Sequence, residues 1–169
     1  MTGARLPVGG SEVGVARAEG FLALYEREFT PMLRLAFVTL GSNDTAEDVV
    51  QDAFVEVYRR WNDVREPGAY VRRAVLNRCI SVLRRRRVER RHAASTRLHE
   101  MQWHDSDSLA ISGALQKLSP RQRAAVHMRF VEGLSEAAIA ETLGCRPGTV
   151  KSLLARSRST MRKAIEHDN

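Results

Sequence analysis

The sequence predicts an all-α protein of two small helical domains joined by a flexible linker, and three observations carry that prediction. Apolar residues recur at three- and four-residue steps from Phe21 onward, and no strand pattern of useful length appears. Aromatic residues are only 6% of the 169-residue chain against 43% hydrophobic residues, which indicates an aliphatic core and suits a helical bundle. The helical pattern lapses once, between about His92 and Ser108.

The lapse and the N-terminus set the predicted boundaries. Residues 1–19, rich in Gly, Ala and Val without helical period, are predicted to form a flexible tail. The two domains cover 20–91 and 109–169, and residues 92–108 form the linker. Because no apolar run is long enough for a signal peptide or a membrane span, we expect a cytoplasmic protein without membrane insertion.

The first two helices of the N-terminal domain follow from apolar spacing and stop signals. The first runs from Phe21 to Leu40 and ends at Gly41. The second starts near 42–45, where Asp48 follows the threonine by three residues as in a capping box. Its apolar face is the most regular in the chain and comprises Ala46, Val49, Val50, Ala53, Phe54, Val57, Tyr58 and Trp61.

A third helix is predicted after a polar loop that spans Asn62 to Glu66. Pro67 can be the first residue of this helix, since a helix leaves its first N–H groups unpaired. The helix runs to about Arg91 and changes from an apolar to a basic character, ending in four consecutive arginines at 84–87.

The C-terminal domain contains a candidate helix-turn-helix. Helical period resumes at 109–118, and Ser119-Pro120-Arg121-Gln122 is a strong helix start with a capping box. Farther on, Ala140 is small enough for close helix approach and Gly144 tolerates the turn. The predicted inward residues are Ile139, Leu143, Val150 and Leu153. The predicted outward residues, in the part that enters the major groove in such motifs, are Thr149, Lys151, Ser152, Ala155 and Arg156. The alternative is an ordinary αα-hairpin with a glycine turn.

Positive charge is concentrated on the third helix. The net charge is +7 with a sequence pI of about 10.2, which points to a polyanion, either nucleic acid or an acidic membrane surface. Between 67 and 97 there are ten arginines against one acid, Glu89. Such a cluster favours a phosphate backbone as its partner, since phosphate contacts release condensed counterions. A solvated basic helix end is the alternative.

An acidic stripe lies on the second helix. Asp48, Asp52 and Glu56 are spaced at i, i+4 and i+8, and seven acids occur between 41 and 66 against three arginines. Such a face cannot also touch DNA, so it is either solvated or a docking surface for a partner protein.

Chemistry-bearing residues give no catalytic or metal motif. Cys79 and Cys145 lie within apolar helical patterns and are expected to be buried free thiols. A metal site among His92, His99, His104 and Asp105 is disfavoured, because no spacing places two ligands on one helical turn. We therefore expect no metal, no cofactor and no enzymatic activity.

Two blocks of residues resemble one family. Residues 45–61 and 69–78 resemble the region-two helices of extracytoplasmic-function sigma factors, and 118–123 and 148–152 resemble their region four. The closest resemblance is to the actinobacterial sigma-E-like subgroup, which shares the arginine-rich end of the third helix. It spans about residues 20–165. The implied function is that of an alternative sigma factor, which binds core RNA polymerase and directs promoter-specific initiation.

The resemblance also implies residue roles. The acidic helix would dock on the clamp helices of the largest polymerase subunit, and region four would contact the flap of the second largest; an anti-sigma protein is a further candidate partner. The implied polymerase-binding residues are Asp48, Gln51, Asp52 and Glu56. The implied minus-ten residues are Asn62, Asp63, Arg65, Tyr70, Arg73, Asn77, Arg78, Arg84 and Arg85. The implied minus-thirty-five residues are Arg146, Thr149, Lys151, Ser152 and Arg156. Leu153 departs from the family, in which many members have arginine there.

Two other functions stay open from the residues alone. A stand-alone helix-turn-helix regulator explains the C-terminal motif but not the arginine-rich helix beside an acidic one. An enzyme acting on nucleic acid needs a clustered acidic or histidine site near the basic patch, and the sequence has none.

Overall fold

A computed structural model of the protein describes residues 9–92 and 109–167, and these ranges contain no strand. The α-helices, numbered in chain order, are α1 (Gly9–Leu40), α2 (Asn43–Arg59), α3 (Pro67–His92), α4 (Leu109–Gln116), α5 (Pro120–Phe130), α6 (Glu136–Leu143) and α7 (Pro147–His167). A single turn of 3₁₀ helix, Trp61–Asp63, lies between α2 and α3. The predicted all-α class is confirmed.

Helices α1, α2 and α3 pack against one another around a mainly aliphatic core. Met32, Leu35, Val50 and Leu76 are almost completely buried there. Six aromatic residues of this bundle form one cluster. Their rings contact one another and are contributed by Phe21, Tyr25, Phe29, Phe54, Tyr58 and Trp61.

Helix α1 begins earlier than predicted. The expectation of a flexible tail over 1–19 was wrong from Gly9 onward, because these residues already form the first turns of α1. Tertiary contacts explain the helical continuation: the Arg17 guanidinium donates to the Tyr58 carbonyl and lies 4.7 Å from the centroid of the Tyr58 ring. Residues 1–8 lie outside the described ranges.

The start of α2 also differs from the prediction. Ser42, in an extended conformation, is the N-cap, and its side chain caps no backbone N–H. The capping box between Thr45 and Asp48 was wrong, because Thr45 already lies inside the helix. Its hydroxyl instead contacts the Ser42 hydroxyl and accepts a hydrogen bond from Arg86 of α3.

The C-terminal half follows its predicted pattern closely. Ser119 accepts a hydrogen bond from the Gln122 N–H, and the Gln122 side chain accepts one from the Ser119 N–H, so the capping box is confirmed. Gly144 ends α6 with a φ of 60°, a left-handed conformation that favours glycine. Ala140 is buried where α6 and α7 meet.

The two halves pack directly on each other through α1 with α5 and α3 with α6. Arg123 of α5 is only 9% exposed and donates three hydrogen bonds to backbone carbonyls. Two go to the end of α1, at Val38 and Thr39, each 2.8 Å long, and one goes to Leu118 at 3.0 Å. The last carbonyls of a helix have no partner within it, so Arg123 supplies donors that α1 lacks.

An ion pair also crosses the contact between the two halves, which we call the seam. Glu132, in the loop between α5 and α6, accepts a 2.8 Å hydrogen bond from Arg72 of α3. Arg72 also lies 3.6 Å from Glu28 of α1. Buried His127 lies beside this group, with its Nε2 3.7 Å from Glu132. Burial and the nearby Arg34 charge lower the pKa of His127 to about 4, and burial raises the pKa of Glu132.

Replacing Arg123 tests the seam. Arg123→Ala leaves three sheltered carbonyls without donors, which costs about 1–3 kcal/mol for each group that water cannot reach. We expect the halves to separate before either unfolds, seen as a larger radius of gyration by small-angle scattering. Arg129→Ala, which removes an arginine–carbonyl bond within the C-terminal half, is the control and should leave the radius unchanged.

The buried histidine predicts a pH dependence of stability. The His127 pKa is near 4 when folded and about 6.5 when unfolded, so the unfolded chain binds the extra proton. Stability should therefore fall as pH drops from about 6.5 towards 4, by as much as about 3 kcal/mol. Denaturant unfolding of the wild type and of His127→Gln over this range is the measurement, with a flatter dependence expected in the variant. If the free energy of unfolding depends on pH in the same way in both proteins, the low pKa of His127 is contradicted.

Candidate nucleic-acid and protein interfaces

The loop before α3 and the first turns of α3 enclose a cleft of about 420 Å³. Four predicted minus-ten residues line it together: Asp63, Arg65, Tyr70 and Arg73. Pro67 begins α3 as predicted, and the Tyr70 N–H bonds to the Glu66 carbonyl in its first turn. This start turns the Tyr70 ring and the Arg73 side chain towards the cleft. Its walls carry three arginines and three acids beside one aromatic ring, and the ring and the guanidinium groups suit an unpaired base and its phosphate.

The other predicted minus-ten residues lie around the cleft rather than in it. Asn62 is exposed in the 3₁₀ turn, and Asn77 is exposed on α3 two turns beyond Tyr70. Arg84 and Arg85 are exposed farther along α3 and line a different groove. The structure therefore brings together only part of the predicted set.

The second groove separates α2 from α3 and has a volume of about 690 Å³. Asp48 and Asp52 line its α2 side, and Arg78, Arg84 and Arg85 line its α3 side. The acids predicted to bind polymerase and the arginines predicted to bind DNA thus face each other. Gln51 is exposed on α2 outside this groove.

Glu56 lines a neighbouring groove with Asp52 and Arg78 and does not line the groove that holds Asp48. Its side chain is half-buried against α3, where it accepts hydrogen bonds from the Tyr70 hydroxyl and from Arg78, both 2.8 Å long. The Arg60 guanidinium donates to the Tyr70 hydroxyl oxygen at 3.3 Å. The carboxylate was predicted to bind polymerase, and it contacts two residues predicted for minus-ten recognition. Sequence spacing alone could not find this, because Glu56 shares the helix face of the other predicted polymerase-binding acids.

The C-terminal half presents a basic and polar face on α7. The residues predicted for minus-thirty-five recognition are all exposed: Arg146, Thr149, Lys151, Ser152 and Arg156. Ile139 and Leu143 of α6 and Val150 of α7 are buried, as predicted. Leu153 is only half-buried, and Leu154 takes the deeper position at 5% exposed. Leu153 packs partly against the core, as predicted, and Leu154 lies inward as well.

Sequence reasoning missed one acid that joins the two halves at the cleft. Glu141 of α6 lines the cleft beside Arg65 and Arg73, which come from the N-terminal half. Only the packing of α6 on α3 brings it there, and no local pattern signals such a contact.

Cys79 and Cys145 form no disulfide, and the described residues form no metal site. Cys79 is buried, and its burial raises the pKa of the thiol to about 12; Cys145 is half-buried, and both are free. Across the parts of the chain that the structure describes, no group of three or more His, Cys, Asp or Glu is placed to hold a metal ion. His99, His104 and Asp105 lie outside those parts, as does the side chain of His92. No helix among residues 9–92 and 109–167 is long and apolar enough to cross a membrane.

Comparison with known proteins matches both halves to one family. Residues 24–89 match the model of sigma-70 region 2, and residues 108–161 match sigma-70 region 4. The chain is 30% identical over 158 residues to the ECF RNA polymerase sigma factor SigM of Mycobacterium tuberculosis, covering 88% of this chain and 79% of the relative. It is 32% identical over 127 residues to the RNA polymerase sigma-E factor of Streptomyces antibioticus, covering 72% and 71%.

The fold has a counterpart among solved structures. The sigma factor RpoE of Bartonella quintana, solved in complex with the anti-sigma factor NepR, superposes with a TM-score of 0.74 at 24% identity, over 89% of this chain and 99% of that one. That similarity shows the fold alone. Both family models and the relatives agree with the order of the two halves. The chain belongs to the extracytoplasmic-function sigma factors, in the sigma-E-like subgroup, and is an alternative sigma factor that directs promoter-specific transcription.

Proposed function

We propose that the two halves divide the work of promoter recognition, with the N-terminal half also docking on polymerase. The carrying observation is that α2 exposes Asp48 and Asp52 while the neighbouring α3 exposes a run of arginines. Surfaces of opposite charge suit partners of opposite charge, here a basic protein surface and a nucleic acid. The chain contributes binding surfaces and charges and catalyses no reaction of its own. We expect it to act in the cytoplasm, bound to the polymerase.

The polymerase surface comprises Asp48, Gln51 and Asp52. All three are exposed on α2, and their face is not needed to bury the apolar side of that helix. We place the clamp helices of the largest polymerase subunit on this surface. The flap of the second largest subunit would contact the C-terminal half.

The minus-ten surface comprises the cleft and the exposed face of α3. Its aromatic ring, small polar side chains and cations can hold an unpaired base by stacking and hydrogen bonds, while Arg84 and Arg85 hold phosphates. Asn62, Asp63, Arg65, Tyr70, Arg73, Asn77 and Arg78 complete the assignment. Reading an unpaired base fits an element that must be melted for transcription to start.

The minus-thirty-five surface is the exposed face at the start of α7. Lys151 and Arg156 can reach base edges or phosphates, and Thr149 and Ser152 add short polar contacts. Arg146 precedes the helix, and its carbonyl accepts from the first N–H groups of α7. An anti-sigma protein remains a proposed partner, on the ground that the similar RpoE was solved with one.

Run-off transcription tests the function as a whole. Core polymerase with this chain should give discrete transcripts from genomic fragments, and core alone should not. A stand-alone regulator would bind promoter DNA without core polymerase, and its addition to core polymerase would give no discrete transcripts.

Charge reversal tests the docking surface. Asp48→Lys with Asp52→Lys should weaken core-polymerase binding at least about tenfold, because like charges then meet across the interface. Both side chains are exposed, so the melting temperature should stay near that of the wild type. Glu19→Lys with Glu26→Lys makes the same charge change on exposed positions of α1 and should bind core normally. Equal binding by both double variants would place docking elsewhere.

Alanine substitution tests the recognition helix. Lys151→Ala and Arg156→Ala should each weaken promoter binding, by about 1–3 kcal/mol with relaxed preference at one base pair where the contact is to a base edge. A phosphate contact would instead weaken all sequences alike and lower the salt slope by about one unit. Arg162→Ala, on an exposed later turn of α7, is the control. Wild-type affinity in both variants would remove this face from recognition.

A further inference from the structure

The Glu56 carboxylate is fully engaged by groups of the minus-ten surface. Its Oε1 accepts from the Tyr70 hydroxyl and its Oε2 accepts from the Arg78 guanidinium, each at 2.8 Å. Arg78 reaches towards Asp52 as well, but at 3.8 Å and with the Asp52 side chain 73% exposed. Glu56 is therefore the main anion that Arg78 meets.

These contacts fix the protonation of both partners. The Tyr70 hydrogen bond and the Arg78 charge lower the pKa of Glu56, which is ionised at neutral pH. The Glu56 carboxylate raises the pKa of the Tyr70 hydroxyl, which keeps its proton. Tyr70 donates that proton to Glu56 and accepts from Arg60, so its hydroxyl is committed to the protein. The ring then meets a base by its face, through stacking.

The same carboxylate lowers the positive charge that the surface offers to DNA. Phosphate contacts raise affinity for every sequence alike, whereas an oriented ring and an oriented guanidinium discriminate between sequences. An acid in the middle of this surface costs non-specific affinity. Because it also fixes two side chains, it improves discrimination in return.

We propose that Glu56 is a positioning residue that sets minus-ten specificity, and that it does not dock polymerase. It holds Tyr70 and Arg78 in one arrangement and withholds Arg78 from phosphates of the wrong sequence. This inference rests on the proposed minus-ten role of the cleft and α3. Exposed Asp48 and Asp52 keep the docking role, since their carboxylates face the open groove.

The test replaces Glu56 by its uncharged isostere in the reconstituted holoenzyme. Binding is measured by fluorescence anisotropy over a series of KCl concentrations. The probes are a promoter with a pre-melted minus-ten bubble and the same DNA with the minus-ten sequence scrambled. Glu56→Gln should bind the scrambled probe more tightly, with a salt slope steeper by about one unit, because Arg78 gains a phosphate. The preference for the cognate over the scrambled probe should fall about fivefold or more.

Two further variants separate charge from positioning. Glu89→Gln removes one negative charge from the exposed part of α3, where Glu89 pairs with Arg85 at 3.7 Å, and should tighten binding to both probes without changing their ratio. Tyr70→Phe keeps the ring and the charge but loses the hydrogen bond to Glu56. It should lower the preference while leaving the salt slope unchanged. In the Tyr70→Phe background, Glu56→Gln should then cost less preference than it does alone.

The outcomes distinguish this inference from the function on which it rests. A wild-type holoenzyme that does not prefer the cognate probe defeats the proposed minus-ten role itself. A wild-type preference that Glu56→Gln retains, with an unchanged salt slope, overturns the role of Glu56 alone. Loss of core binding by Glu56→Gln to the extent seen with the Asp48 and Asp52 double variant makes Glu56 a docking residue and also overturns it. If Glu56→Gln loses affinity for both probes in equal proportion, Glu56 has only a structural role, and the proposal is overturned.

Discussion

One buried guanidinium decides how the two halves of this protein sit against each other. Helix α1 ends at Leu40, and its last carbonyls point into the seam with α5, where water is largely excluded. Arg123 donates hydrogen bonds to these carbonyls and places a positive charge at the negative end of the helix dipole. Burial lowers the pKa of this guanidinium, yet an arginine stays charged under ordinary conditions. The Arg72–Glu132 pair and the position of Glu141 at the cleft both depend on the arrangement that Arg123 fixes.

Charge is handled differently on the two faces of the N-terminal half. The seam pairs its ions in sheltered positions, whereas α3 leaves most of its arginines exposed. Between these extremes lies the Glu56 network, half-exposed and hydrogen-bonded to Tyr70 and Arg78. A surface built only of free cations would bind any nucleic acid. An anion held by hydrogen bonds lowers the net positive charge and fixes the orientation of the neighbouring side chains. That combination suits a protein that must find few sites among many.

The sequence predicted what local patterns can encode. The apolar period of α2, Pro67 at the start of α3, the Ser119 capping box and the left-handed Gly144 are signals within one or two turns of chain. What it could not predict depends on distant partners. The early turns of α1 are held by Tyr58, and Arg123 caps a helix some 85 residues away in sequence. Glu56 is half-buried because Tyr70 and Arg78 of α3 hydrogen-bond to it. Most of the predicted site residues are exposed, whereas Glu56, Tyr70 and Arg78 are half-buried in a network that sequence spacing did not predict.

Gly20 imposes a restriction on the evolution of this chain that its place in the first helix does not suggest. A Cβ atom there would lie 3.0 Å from the Trp61 ring, and Trp61 begins the turn that carries Asn62 and Asp63. Any larger side chain requires the indole of Trp61 to shift by a few tenths of an ångström. The early part of the chain and the minus-ten loop are thus mechanically joined, and change at one is constrained by the other.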